Sequence, residues 1–114
     1  KAALLFAADQ TTVWMGDRTL LHIASERGDV VLLRALLKQG VDVDLRDVRG
    51  QTALHAAAAS GRRQIAELLL EHGARAGVTD IDARTPLYYA EQGGHAGLAA
   101  LLRKRQRDRD GSDQ

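Results

Sequence analysis

Four histidines, His22, His55, His72 and His95, are the side chains best able to do chemistry in this chain, and 15 Asp and Glu residues stand ready as companion ligands or bases. A metal centre or an acid–base site needs such groups brought together from the right spacing. Here the spacing argues for something else. His22 and His55 lie 33 residues apart, each three positions after a threonine, Thr19 and Thr52. That regularity marks them as equivalent members of a repeat, with a structural task in each copy. His72 precedes a glycine and His95 follows one, and both are expected at exposed helix ends. Gly93-Gly94 lacks the Lys-Ser/Thr that completes a phosphate loop, and no serine sits in a Gly-x-Ser-x-Gly elbow. No enzyme, no cofactor and no metal is expected.

Composition bounds the remaining classes. With 114 residues, 45% apolar and 27% charged, the chain has the makings of one soluble, folded domain. Sixteen Lys and Arg against 15 Asp and Glu leave a formal charge of +1, too small a field to recruit nucleic acid or a membrane surface. The aromatic residues Phe6, Trp14, Tyr88 and Tyr89 are not interleaved with a basic stripe, so nucleic acid is not expected as a partner. No apolar run approaches the roughly 20 residues of a membrane helix. Cysteine is absent, which removes thiolate ligands and disulfides and suits a cytoplasmic or nuclear location. The first residue is Lys, so the sequence is expected to be a segment of a longer protein.

The elements that position these residues follow from the repeat. Thr19-Leu20-Leu21-His22, Thr52-Ala53-Leu54-His55 and Thr85-Pro86-Leu87-Tyr88 begin at a constant interval of 33 residues. Ala24, Ala57 and Ala90 keep the register, as do Gly28, Gly61 and Gly94, and then Leu36, Leu69 and Leu102. Each threonine can cap a helix, and Pro86 sits where a missing N–H does no harm. A short first helix then ends at Gly28, Gly61 or Gly94. The second helix shows an apolar face, Val31, Leu32, Ala35 and Leu36 in one unit and Ile65, Leu68 and Leu69 in the next, and stops at Gly40 or Gly73. Turn-forming tetrads, Asp47-Val48-Arg49-Gly50 and Asp80-Ile81-Asp82-Ala83, make a hairpin-like finger between units.

These residues resemble the ankyrin repeat over residues 14–106, with its Asp, Gly, Thr-Pro-Leu-His, Ala-Ala and Leu-rich second helix ending in Gly. The resemblance implies an all-α solenoid of stacked helix-turn-helix units joined by β-turn or hairpin fingers. It divides the chain into a partial repeat or N-terminal cap at 1–13, repeats at 14–46 and 47–79, a C-terminal capping repeat at 80–106 and a charged, disordered tail at 107–114. Three departures stand out. Trp14 and Asp17 stand where the second unit has Asp47 and Gly50, so the first turn is expected to differ; Trp14 should form a lid over the irregular N-terminus, with ligand anchoring as the alternative. Ala83 replaces the turn glycine and Tyr88 the histidine of the third unit. Arg103 falls where Leu37 and Leu70 stand, which marks a solvent-facing last helix.

Function, on that resemblance, is recognition of another protein or peptide on a concave face made of finger tips and first helices. The corresponding positions are Met15, Arg18, Arg46, Val48, Arg49, Gln51, Thr79, Ile81, Asp82 and Arg84 in the fingers and Glu26, Arg27, Ala59, Ser60 and Gln92 in the helices. Thr19, His22, Thr52, His55, Thr85 and Tyr88 are implied as structural members of the repeat, the histidines bonding across turns. Arginines beside Met15, Val48 and Ile81 suggest an acidic and apolar partner. An adaptor or targeting role within a larger protein is expected. The alternative is a structural or regulatory module that docks on its own parent chain or self-associates through an exposed terminal repeat.

Overall fold

The structure, a computed structural model, describes the backbone of residues 14–112 and the side chains of residues 16–106. Two short strands, β1 (Trp14–Met15) and β2 (Arg18–Thr19), precede six helices: α1 (Leu20–Arg27), α2 (Val30–Lys38), α3 (Ala53–Ser60), α4 (Arg63–Glu71), α5 (Pro86–Gln92) and α6 (Ala96–Ser112). Helices α1/α2, α3/α4 and α5/α6 are antiparallel pairs, and the stack grows by α3 packing between α1 and α5. The expected partial repeat or cap at 1–13 and the Trp14 lid lie outside the described residues.

Thr19, Thr52 and Thr85 take extended backbone angles at the N-caps of α1, α3 and α5, as their hydroxyls predict. Gly28 and Gly61 close α1 and α3 at φ 74° and 70°; in the third unit α5 ends one residue early, at Gly93, and Gly94 takes φ 74°. Only a residue without a Cβ adopts that left-handed region without cost, which is why glycine recurs there.

The core is a continuous seam of Leu21, Leu33, Leu54, Ile65, Leu69, Ala90, Leu98 and Leu102. In α3 the side chains of Ala53, Ala56, Ala57 and Ala58 are all buried. Their small size lets α1 and α5 approach on either side. The apolar face of α2 differs from the expected one. Leu33, Leu36 and Leu37 face inward with Val30 partly covered, whereas Val31 is 81% exposed and Ala35 is exposed. The spacing i, i+3, i+6, i+7 from Val30 makes as good a stripe as the one through Val31, and packing against α1 and the common core selects between them.

The fingers are built by carboxylates. Asp47 Oδ1 accepts the N–H groups of Arg49 and Gln51, both at 2.9 Å, while the Gly50 N–H donates to the Asp47 carbonyl. Asp80 repeats this with the N–H groups of Asp82 and Arg84 at 2.9 and 3.0 Å. Trp14 offers no such acceptor, and the first finger is indeed different: a two-residue turn at Gly16 (φ 79°) and Asp17 joins paired strands. Ala83 holds the position of Gly50 at φ 61°, the one non-glycine positive φ among the described residues.

Helix α6 continues to Ser112, so the expected disordered tail from 107 is helical through that residue. Between Gly97 and Gly111 there is neither Gly nor Pro, and Arg, Lys and Gln are good helix formers. Arg103 is exposed and pairs with Glu91 at 2.7 Å, in keeping with a helix whose outer side meets solvent.

Candidate interaction face

Successive fingers are tied edge to edge before they present anything to a partner. The Val48 N–H donates to the Asp17 carbonyl at 3.3 Å and the Ile81 N–H to the Arg49 carbonyl at 2.9 Å. His22 and His55 tie each first helix to the following finger. The Nε2–H of His22 donates to the Gln51 carbonyl at 2.7 Å, and that of His55 to the Arg84 carbonyl at 2.9 Å. A carbonyl can only accept, so both rings carry their proton on Nε2, leaving Nδ1 to accept from Thr19 Oγ1 at 2.7 Å and from the Thr52 N–H at 3.0 Å. Burial lowers both imidazole pKa values; the carbonyl bonds and the nearby Asp47 and Asp80 carboxylates oppose that shift without cancelling it. The two rings are neutral ties between units. His95, expected to be exposed, is half-buried, its ring packed over Gly61 and Gly93.

Tyr88 departs from this pattern. Its N–H meets the Thr85 hydroxyl at 3.3 Å, but its ring turns edge-on to Tyr89 with centroids 5.3 Å apart and lies under the Arg84 guanidinium at 4.8 Å. Tyr89 supplies the polar centre instead. Its hydroxyl donates to Asp80 Oδ2, and Gln51 Nε2 reaches both Asp80 Oδ2 (3.2 Å) and the Tyr89 hydroxyl (3.1 Å). Burial of Asp80 opposes ionisation, but the bonds from Tyr89, Arg84, Gln51 and Asp82 outweigh it and hold the carboxyl well below the usual carboxylate range.

Several residues expected to meet a partner are thus occupied within the fold. Arg18 is ion-paired with Glu26, and Gln51 is committed to Asp80 and Tyr89. Arg46 donates through Nε to the Gly50 carbonyl at 3.3 Å and through Nη2 to the Thr79 carbonyl, which staples two fingers together. Asp82 and Arg84 are exposed, yet their N–H groups belong to the Asp80 turn. Arg27, Thr79 and Gln92 are exposed, and Met15 lies in β1, its side chain outside the described residues. Val48 and Ile81 crown adjacent finger tips, 62% and 71% exposed.

Between the first two fingers and the first helices lies an open cavity of about 370 Å³, lined by Asp17, Arg18, Glu26, Asp47, Arg49, Gln51, Ala56, Ala59 and Ser60. It joins Arg18, Glu26, Arg49, Gln51, Ala59 and Ser60 of the expected contact set and leaves the other members of that set out. Asp17, Asp47 and Ala56 are lining residues that the sequence did not single out as contacts. Asp17 and Asp47 read as turn chemistry and Ala56 as a packing residue, and only the repeat alignment of Asp47 with Asp80 and of Ala56 with Tyr89 gives those two a further meaning. Three carboxylates face two guanidiniums around this cavity, so the face is mixed in charge rather than basic. Among the described residues no group of three or more His, Asp and Glu is placed to hold a metal ion, and no helix is long and apolar enough to cross a membrane.

Helix pairs stacked through short first helices, with fingers at right register and threonine–histidine ties between units, define a helical-repeat solenoid of the ankyrin type. The family model for ankyrin repeats (3 copies) matches residues 3–80, more than half of the chain. The chain belongs to the ankyrin-repeat family. No curated protein matches it. Ankyrin repeats are in general modules for protein–protein interaction and are typically not enzymes. The pair α5/α6 lies beyond the matched stretch and keeps the threonine N-cap at Thr85, with Tyr88 in place of the histidine tie.

Proposed function

We propose that this chain is the recognition module of a larger protein, an adaptor or targeting domain of the cytoplasm or nucleus, and that it holds a segment of another protein across its concave face. The observation that carries this reading is the finger row. Val48 and Ile81 expose apolar side chains at adjacent tips, Arg49 lines the cavity, and the small Ala59 and Ser60 line it too. Among the described residues no carboxylate pairs with Arg49, and arginine is among the side chains that most often anchor an interface. With Arg18 and Arg46 engaged internally, the acidic group of such a partner would meet Arg49, and its apolar group would lie on Val48 and Ile81.

The test is affinity capture followed by mass spectrometry, comparing the native domain with Arg49→Glu and with a Val48→Ser, Ile81→Ser double variant, each checked for unchanged helicity. Arg46 is left intact because its loss would loosen the fingers. A protein retained by the native domain and lost by both variants supports the reading. One retained by all three places binding elsewhere on the stack.

A further inference from the structure

The Asp47 and Asp80 turns share their backbone bonds but differ in what meets the second carboxylate oxygen. Asp80 Oδ2 is satisfied from two sides, by the Tyr89 hydroxyl of its own unit and by Gln51 of the unit before. Shifted back by one repeat, these positions are Asp47, Ala56 and Arg18. Ala56 carries no donor, and Arg18 has turned to Glu26. Asp47 is 8% exposed, its Oδ1 is taken by two backbone N–H groups, and among the described residues no donor reaches its Oδ2. Asp47, Ala56 and Arg18 all line the open cavity. Space therefore lies beside the residue where the next unit has a phenol ring, next to an acceptor that the next unit fills with a phenol hydroxyl. Asp47 Oδ2 is not a sealed, unsatisfied atom; it faces the open cavity, where an incoming hydroxyl would replace water as its donor.

We propose that this cavity receives a tyrosine side chain of the bound protein segment, its ring over Ala56 and its hydroxyl donating to Asp47 Oδ2, in imitation of the internal Tyr89–Asp80 pair. The proposal rests on the concave-face reading and specifies one anchor of the partner. Tyrosine is distinguished from a basic side chain by the shape of the site, since an apolar floor at Ala56 beside the Asp47 acceptor reproduces the surroundings of Tyr89 one unit later. It also fits better than phenylalanine, which fills the volume and leaves Oδ2 without a donor. In the neighbouring unit Tyr89 stands edge-on to His55 with centroids 5.9 Å apart, and His22 is the corresponding ring for the incoming one.

The experiment uses N-acetyl-tyrosinamide as probe, with N-acetyl-phenylalaninamide and N-acetyl-argininamide as controls, titrated into the isotopically labelled domain and followed by NMR. Shifts centred on Ala56, Ala59 and the Asp47 turn, with the tyrosine amide bound roughly tenfold tighter than the phenylalanine amide, are expected. Asp47→Asn retains the Oδ1 acceptor that builds the turn, replaces the Oδ2 acceptor by an amide donor, and should reduce that selectivity because a neutral bond takes the place of one to a carboxylate. Ala56→Tyr supplies the ring internally; it should unfold at a temperature equal to or above that of the native domain and no longer bind the probe. Equal binding of the tyrosine and phenylalanine amides, preference for the arginine amide, selectivity undiminished in Asp47→Asn, or a lowered melting temperature for Ala56→Tyr would each overturn the proposal. Those outcomes leave the concave-face reading standing, since its own test is capture by the Arg49 and Val48/Ile81 variants.

Discussion

Lowering the pH from 7.5 to 5 should weaken this fold through two buried rings. His22 and His55 are neutral in the folded chain because burial disfavours the imidazolium, and because Nδ1 is needed as an acceptor. Around His22 the charged neighbours are Asp47, which favours the proton, and Arg18, which opposes it; around His55 they are Asp80, Asp47 and Arg46, in the same senses. The folded pKa values lie below the unfolded value of 6.5, so below pH 6.5 the unfolded chain binds protons that the native chain refuses. Stability is then fully present above the unfolded pKa and falls as the pH drops below it. Each such proton is worth about 1.4 kcal/mol per pH unit, so the two together give a slope of up to about 2.7 kcal/mol per unit within the window. For a domain whose total stability is about 5–15 kcal/mol this is a large fraction. Urea denaturation followed by circular dichroism at pH 7.5, 6.5, 5.5 and 5 measures it as a falling midpoint at constant slope. Staying at or above pH 5 keeps Asp80 out of the measurement, because its depressed pKa costs stability only as the pH falls below the ordinary carboxyl value of 3.8. A midpoint that is flat or rises between pH 7 and 5 would refute the neutral-tie assignment of the histidines.

Three substitutions probe the packing and the turns, each read by thermal or urea denaturation. Ala57→Leu places three further carbons where α1, α3 and α5 meet around a fully buried residue, and should destabilise by about 1–3 kcal/mol. Gly61→Ala should cost about 2 kcal/mol, since a Cβ there has φ 70° and would come within 2.6 Å of the His95 ring. Ala83→Gly runs the other way: relief of a left-handed alanine at φ 61° outweighs the added freedom of the unfolded chain, for a gain of about 0.5–1 kcal/mol.

The 33-residue register alone gives the order of helices, their caps and the ends of α1 and α3, because these depend on local chemistry: a threonine hydroxyl over free N–H groups, a glycine able to take positive φ. The bonding of His22 and His55 to the next unit was legible too, as what the resemblance to the ankyrin repeat implies for histidines at that position. Which stripe of α2 turns inward was not, because Val30 to Leu37 offers two apolar faces and only packing against α1 and the common core distinguishes them. Nor could composition tell a free arginine from an engaged one. Arg18, Arg46 and Arg49 are alike in the sequence, and the geometry of the fingers gives the first to Glu26, the second to two carbonyls and leaves the third at the cavity. The cavity itself exists because Ala56 stands where Tyr89 stands one unit later, a difference plain in the sequence whose meaning depends on a through-space hydrogen bond between residues nine apart. Local propensity is written residue by residue, whereas the accounting of buried donors and acceptors closes only when the units are stacked.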